Sequence, residues 1–370
     1  MKILHVFKTY LTDSNGGIEQ VIHQICHATA QQGIENRILC LTSQKNPQPV
    51  QTAEAEVFRC TIDFELFSTP FSWRAFSTFK KLAAWADIIH YQFPWPFADL
   101  LQSVIHPKKP IIVSYQSDIV RQKIAFLFYQ PLQNYFLTSA TQIVATSPQY
   151  KQTSPALKKF ADKVAIIPNG LDKSVYPTPS ADCINQWKNR VGEGFFLFVG
   201  VMRYYKGLHI LLEAALGMPG KIVIAGSGPL ENTLKAQAER LKLTNVIFVG
   251  NISEEDKVAL LTLSLGFVFP SHLRSEAFGI SLLEAAMYGK PLISTEIGTG
   301  TSYININGET GLVVPPADPI AFKQAMCFLY ENPIAAKQMG IAAEKRYWAY
   351  FTADTMGKSY IALYERWLGV

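Results

Sequence analysis

Phe195-Phe196-Leu197-Phe198-Val199-Gly200-Val201-Met202-Arg203-Tyr204-Tyr205-Lys206-Gly207 begins as an unbroken apolar run and ends in a basic turn closed by glycine. A short apolar run without polar alternation, bounded by glycine, reads as a strand buried on both faces. An amphipathic stretch at 207–216 follows at once, so the run opens a strand–turn–helix unit. Arg203 and Lys206 stand just before that helix. Cations there oppose the macrodipole, which favours anions at a helix N-terminus by about 0.3–1 kcal/mol. Their placement makes physical sense if an anion sits between them; the bland alternative is a solvated loop with incidental charges.

The same pattern continues downstream. Strands are predicted at 221–225, 246–250, 266–269 and 291–294, with helical stretches at 230–241, 254–262 and 280–288, and 319–368 reads as helical throughout. Upstream, Pro168-Asn169-Gly170 leads into a polar stretch through Pro177 and Pro179 that reads as a linker. Before it lie predicted strands at 2–7, 36–42, 56–60, 87–91, 111–115, 142–146 and 164–167. Amphipathic stretches at 18–32, 74–85, 119–139 and 148–160 separate several of them. Strand–helix alternation implies parallel βαβ units, here started twice. A chain of 370 residues also exceeds what one compact core usually supports. The expectation is an α/β chain of two Rossmann-like, doubly wound domains facing across a cleft. Residues 1–175 would form the first and 176–349 the second, with a C-terminal helix near 350–370 packing back on the first. Ligands of such sheets bind beyond the carboxyl ends of the strands.

Composition narrows the class. Apolar residues at 48% and charged residues at 17% describe an ordinary folded chain rather than a disordered one. The N-terminus lacks the long apolar stretch and cleavage site of a signal peptide, and no segment offers about 20 continuous apolar residues. Five cysteines, odd in number and without CxxC, fit reduced thiols and a cytoplasmic setting. The net charge of +5 arises wholly in the first half. That bias suits an anionic membrane surface or a phosphorylated acceptor, or is scattered solvated lysine; both stand. There is no basic stripe to bind nucleic acid.

The richest chemistry lies at Ser275-Glu276-Ala277-Phe278-Gly279-Ile280-Ser281-Leu282-Leu283-Glu284-Ala285-Ala286, which follows a strand and opens an apolar helix. Eight residues span about 12 Å if helical. Glu276 and Glu284 are therefore too far apart to share a proton, but suit two acceptors gripping neutral hydroxyls at opposite ends of a ligand. Between them, the free amides of 278–280 are placed to hold a phosphate. Carboxylates repel a diphosphate, so they should face hydroxyls while Arg203 and Lys206 neutralise the anion. Glu284 sits among apolar neighbours and, if buried, needs a partner.

Glu276 and Glu284 match the E-x7-E motif of family-4 glycosyltransferases, within a SEAFGxxxLEAxxxGxP signature ending at Pro291. The Gly200–Gly207 run resembles that family's Arg/Lys diphosphate clamp. Gly226-Ser227-Gly228-Pro229-Leu230 and Asn307-Gly308-Glu309-Thr310-Gly311-Leu312-Val313 resemble further landmarks. The likeness covers essentially the whole chain. It is nearest to bacterial mannosyl- and rhamnosyltransferases of lipopolysaccharide O-chains, on Gly16-Gly17-Ile18-Glu19-Gln20, the Arg-Tyr-Tyr-Lys-Gly run and Gly298-Thr299-Gly300-Thr301-Ser302-Tyr303. The resemblance implies a GT-B fold and a retaining transferase using a GDP- or UDP-sugar donor, with mannose or rhamnose favoured. Arg203 and Lys206 would bind the diphosphate, Glu284 the ribose hydroxyls, and Glu276 the transferred sugar with amides near Phe278, Gly279 and Ile280. Gly228 would belong to the donor site. Gly16 and Gly17 match a loop whose bare backbone approaches the donor phosphates.

One position departs. The family often carries a histidine after the strand equivalent to 111–115, and here Gln116 stands in that place. Glutamine can hydrogen-bond a sugar hydroxyl but does not titrate near pH 7. Asp118 beside it either partly compensates or, as the helical stretch that follows favours, serves as a helix N-cap. No Asp-x-Asp occurs, the histidines lack metal-ligand spacing, and the nearest acidic pattern, Asp63-Phe64-Glu65, lies elsewhere. No metal or cofactor is therefore expected. The predicted reaction is front-face transfer with retention, the leaving phosphate accepting the acceptor's proton. The acceptor expected is a lipid-linked glycan of cell-surface polysaccharide synthesis. The aromatics of 64–85, mixed with Arg74, Lys80 and Lys81, either dock on the inner face of an anionic membrane or belong to a core-facing helix with ordinary lysines. Rival functions are another GT-B nucleotide-sugar enzyme, such as a 2-epimerase, and a nucleotide-sugar-binding protein without catalysis.

Overall fold

Two separate parallel sheets form from the two runs of alternating strands and helices. The computed structural model describes residues 1–14, 16–119 and 123–369, with the side chains of all but 123–127. The chain divides into two compact units, residues 1–170 with 353–370, and residues 171–352.

In the first unit the described strands are β1 (Lys2–Val6), β2 (Glu35–Thr42), β3 (Val50–Gln51), β4 (Glu56–Thr61), β5 (Phe64–Leu66), β6 (Thr69–Phe71), β7 (Ile88–Phe93), β8 (Ile111–Tyr115), β9 (Gln142–Ala145) and β10 (Val164–Ile166). The main sheet runs β10-β9-β8-β7-β1-β2-β4-β3, parallel except where the short β3 pairs antiparallel with β4. Strand order reverses between β1 and β7, the point at which such a sheet opens a crevice. β5 and β6 make a separate antiparallel hairpin.

The C-terminal helix Ala353–Leu368 packs on the helix Gly17–Ala30. A Cβ on Gly357 would lie 2.5 Å from the Ala28 Cβ, so glycine there permits the close approach. A buried polar thread ties the same helix to the sheet. His90 on β7 meets Tyr364 through Nδ1 at 2.8 Å and Ser114 Oγ through Nε2 at 2.7 Å, and Ser114 Oγ meets the Tyr360 hydroxyl at 2.7 Å. Burial, aided by nearby His5, holds the His90 imidazole well below its ordinary pKa, so the thread is uncharged.

The second unit contains β11 (Phe196–Val199), β12 (Ile222–Ala225), β13 (Val246–Gly250), β14 (Gly266–Phe269), β15 (Leu292–Thr295) and β16 (Gly311–Val314). Their order is β13-β12-β11-β14-β15-β16, and every pairing is parallel. This is the doubly wound dinucleotide-binding arrangement, with its switch point between β11 and β14. β12 and β14 are apolar and buried throughout and β11 nearly so, which is why their sequences run without alternation, while β15 is equally buried but ends in Ser294 and Thr295.

Several elements differ from the expectations. The division between the units falls at Gly170/Leu171, inside the stretch read as a linker, whose later part is structured: Leu171 bridges to Thr352, and Lys173–Val175 form a 3-10 turn inside the second unit. The helices Pro96–Ile105 and Ala181–Val191 and the strand β16 were not foreseen. The stretch 148–160 is two helices, because Ser154 ends one and caps the next ahead of Pro155. The helical tail is three segments, Pro319–Glu331, Pro333–Tyr350 and Ala353–Leu368, with Pro333 starting the second. The stretch expected at 119–139 is helical over Lys123–Ser139, while 120–122 lie outside the described residues. Among the described residues no helix is long and apolar enough to cross a membrane.

Candidate active site

Three turns meet at the carboxyl end of the second sheet, and glycine lets them touch. The turn after β11 is stitched to the turn after β12 by backbone bonds from Gly200 to Ala225 (3.0 Å), Met202 to Ser227 (2.8 Å) and Leu230 to Met202 (3.2 Å). A Cβ on Gly228 would stand 2.6 Å from the Met202 nitrogen. Gly207, at φ +70°, lies against the turn after β14, and a Cβ there would meet the Pro270 carbonyl oxygen at 2.0 Å. The His272 amide donates to the Tyr205 carbonyl at 3.0 Å and closes the junction.

Lys206 and Glu276 face each other across that junction. Lys206 Nζ donates to Glu276 Oε2 at 2.5 Å, with both side chains largely buried. The ammonium also sits 4.9 Å from the centroid of the Phe269 ring. Gly279, at φ +99°, lies against the same ring, where an added Cβ would come within 3.2 Å. Lys206 and Gly279 thus flank one aromatic side chain. Burial pulls the Lys206 pKa down, but Glu276 and Tyr205 pull harder and hold it above its ordinary value, so it carries its charge at neutral pH. Arg203 is exposed on the same turn, and no described residue pairs with it.

Gly279 is the N-cap of the helix Ile280–Met287 and supplies no side-chain cap. The amides of its first turn have no partner within the helix. Behind it, Gly300 donates to the Ala277 carbonyl at 2.8 Å and packs so tightly on Phe278 that a Cβ would lie 2.4 Å from its ring. That contact holds the strand–helix turn in place.

Glu284 is buried, as its apolar neighbours imply, and its partners are ones the sequence reading missed. Lys257 Nζ donates to Oε1 at 2.6 Å and the Tyr176 hydroxyl to the same oxygen at 2.9 Å. Burial lowers the Lys257 pKa, yet Glu284 and Glu254 raise it further, to above its ordinary value. Each of the two glutamates therefore has its own lysine. A lysine at the start of the helix Glu254–Leu263, next to Val258, Ala259 and Leu260, was the available signal, since a buried ammonium requires a carboxylate.

In the first unit, Gly16 is the N-cap of the helix that begins at Gly17. A Cβ on Gly16 would fall 2.3 Å from Glu19 Oε2, and Glu19 Oε1 is held by Thr9 at 2.6 Å. Gln116 follows β8, buried; its backbone amide donates to Phe93 and its side-chain Nε2 to Gln92 Oε1, both at 2.9 Å. Gln92 Nε2 reaches His90 Nε2 at a long 3.4 Å. With the Gln92 amide turned this way, its Oε1 faces Gln116 and its Nε2 faces the imidazole. Asp118 accepts from Tyr115 (3.1 Å) and Ser154 (2.6 Å); the start of the helix it was expected to cap, residues 120–122, lies outside the described residues. Asp63 accepts from the Trp73 amide at 2.7 Å on the hairpin side. Among the described residues, no three His, Cys, Asp or Glu side chains cluster as metal ligands.

Residues 15–175 match the family model described as Glycosyltransferase Family 4, and residues 182–346 the one described as Glycosyl transferases group 1. The chain is 54% identical to D-rhamnosyltransferase WbpZ of Pseudomonas aeruginosa, over 95% of its own length and 93% of that protein. It is 46% identical to O-antigen chain mannosyltransferase C of Escherichia coli, over 98% of both. Among solved structures, sucrose-phosphate synthase of Thermosynechococcus elongatus superposes with a TM-score of 0.81 at 21% identity, over 99% of this chain and 98% of that one. Anabaena HepE in complex with UDP gives 0.77 at 18% identity, over 99% and 100%. Both likenesses concern the fold, which is GT-B.

Proposed function

The chain belongs to the family-4 glycosyltransferases, and from that premise we propose that it moves mannose or rhamnose from a GDP- or UDP-sugar to a lipid-linked glycan in O-antigen synthesis. The sugar and the pathway are argued from the two relatives that align along nearly the whole chain. The observation that carries the chemistry is the Lys206–Glu276 pair beside the uncapped helix start at Gly279.

A departing nucleoside diphosphate develops charge on its phosphates. In this reading Lys206, Arg203 and the amides of Gly279 and Ile280 receive it, and pre-aimed cations and dipoles lower such a barrier without reorganisation. Phe278 fixes that turn, and Gly228 keeps the neighbouring loop close to the Arg203 turn. Glu284 accepts from the ribose hydroxyls. Glu276 accepts from a hydroxyl of the transferred sugar once the diphosphate competes for Lys206. To the first unit we assign two roles: amides of Gly16 and Gly17 for donor phosphate, and a sugar hydrogen bond from Gln116. The protein's own cations do the work a divalent ion would do, so the reaction is metal-independent. Transfer proceeds on the front face with retention, and the leaving phosphate oxygen takes the acceptor's proton.

Peripheral binding to the inner face of an anionic membrane belongs to the same reading. On the β5–β6 hairpin and the start of the following helix, Leu66, Phe67 and Trp73 are 52%, 64% and 69% exposed. Arg74, Lys80 and Lys81 are exposed on the same helix, whose opposite face buries Ala75, Phe79, Leu82 and Ala83. Apolar side chains beside lysines suit the boundary between headgroups and acyl chains.

A panel of GDP- and UDP-linked sugars, assayed with a membrane fraction carrying lipid-linked glycan, tests the whole. Transfer from GDP-mannose or GDP-rhamnose, with the donor's anomeric configuration kept and activity intact in EDTA, is the expected result. Inversion, or loss in EDTA restored by magnesium, would overturn the mechanism.

A further inference from the structure

The two oxygens of Glu284 are not equivalent. An ionised carboxylate has about four acceptor sites over two oxygens. Oε1 already accepts from Lys257 and from Tyr176, which fills it. Among the described residues nothing donates to Oε2, and it is not one of the sealed, unpartnered atoms. The terminal torsion of a glutamate is broad and two-fold, so a lone carboxylate presents either oxygen. Here two donors from different segments pin it. Lys257 comes from the helix Glu254–Leu263, and Tyr176 from the turn that opens the second unit. The donors support each other as well: Lys257 Nζ lies 5.1 Å from the Tyr176 ring centroid, and that ring packs edge-on against Tyr288 at 6.3 Å. Glu254, the other partner of Lys257 at 2.8 Å, is exposed and leaves the buried contact undisturbed.

We propose that Lys257 and Tyr176 are positioning residues for the nucleoside end of the donor. By occupying Oε1 they turn Oε2 outward with two open acceptor sites, the number required by the two hydroxyls of a vicinal diol. This rests on the assignment of Glu284 to the ribose. It adds that discrimination between ribose and deoxyribose is set by a lysine and a tyrosine that never touch the ligand.

Isothermal titration with GDP, UDP and their 2′-deoxy counterparts tests it in the wild type, Lys257→Met, Lys257→Arg, Tyr176→Phe and Glu254→Gln. Wild type should prefer the ribonucleotide by on the order of tenfold, the worth of one good hydrogen bond. Lys257→Met should bring that ratio near one while diphosphate-dependent binding persists. Tyr176→Phe should lower it part way, Lys257→Arg should restore most of it, and Glu254→Gln should leave it unchanged. A Lys257→Met chain that fails to fold leaves Tyr176→Phe, one atom smaller, as the deciding variant. A discriminating wild type with unchanged ratios in both variants overturns the inference alone. A wild type indifferent to the 2′-hydroxyl removes Glu284 from the ribose and the inference with it.

Discussion

Lys206 Nζ lies 2.5 Å from Glu276 Oε2, so the cation assigned to the donor diphosphate is paired with the carboxylate assigned to the donor sugar. An ammonium has three donors, and this pairing uses one. On the proposed reading, a diphosphate arriving beside Gly279 would meet a lysine that is already oriented and charged. The contact also gives a largely buried carboxylate its compensating charge.

Removing the ammonium should therefore stop the chemistry. Lys206→Ala is expected to lower turnover at saturating donor at least about a hundredfold, the scale seen when one transition-state donor is lost. Glu276→Gln should lose less, since it keeps a sugar-facing acceptor. Steady-state assays of both decide it; a near-normal rate for Lys206→Ala refutes the clamp.

Gln116 donates to Gln92, whose amide nitrogen lies 3.4 Å from His90 Nε2. Gln92→Leu should free the Gln116 amide and lower turnover by about three- to thirtyfold, the range of a mispositioned hydrogen bond. Residues that act as one unit are not additive. Gln92→Leu/Gln116→Ala should thus be no slower than Gln116→Ala alone, whereas additive losses would separate the two side chains.

Gly207 combines positive φ with a Cβ position 2.0 Å from a backbone carbonyl. Gly207→Ala should destabilise the second unit by about 1–3 kcal/mol through overpacking and strain. Urea unfolding followed by fluorescence reads it, and a midpoint equal to wild type would show that the turn relaxes freely.

Acid should weaken the first unit through its histidines. Burial lowers the His5 pKa from 6.5 to about 4, and His90 is also held low. A folded pKa below the unfolded value means that the unfolded chain gains protons first. The stability is fully present above about pH 6.5 and is lost as pH falls from there towards 4. For His5 alone this amounts to about 3 kcal/mol. Urea midpoints measured from pH 7.5 to 4.5 should fall across that window, and His5→Gln should flatten the fall. Glu54, lowered to about 2, acts only below this range.

Liposomes distinguish docking from chance exposure. Co-sedimentation should rise with anionic lipid and fall severalfold in Phe67→Ser/Trp73→Ser, which removes two exposed rings. Binding indifferent to anionic lipid and to those rings would count against the surface.

Local chemistry was enough to reveal most of the strand–helix order and the doubled α/β plan, and to single out Glu276 and Glu284 as candidates. Apolar runs, glycine turns and an E-x7-E spacing are properties of neighbours along the chain. Besides the helices Pro96–Ile105 and Ala181–Val191, the misses were of two kinds. Short elements such as β3, β5 and β6 have too few residues to show a period, and the breaks at Asn332 and Thr352 hid inside helical composition.

The sequence alone determined that Glu284 would need a partner if buried, because an unpaired carboxylate among apolar side chains is costly. Only the tertiary structure decided that the partners are Lys257 and Tyr176, 27 and 108 residues away. The reason is physical: periodicity constrains which face a side chain takes, while the meeting of faces from distant segments depends on how the sheets and helices pack. The pairing of Lys206 with Glu276, 70 residues apart, was decided the same way.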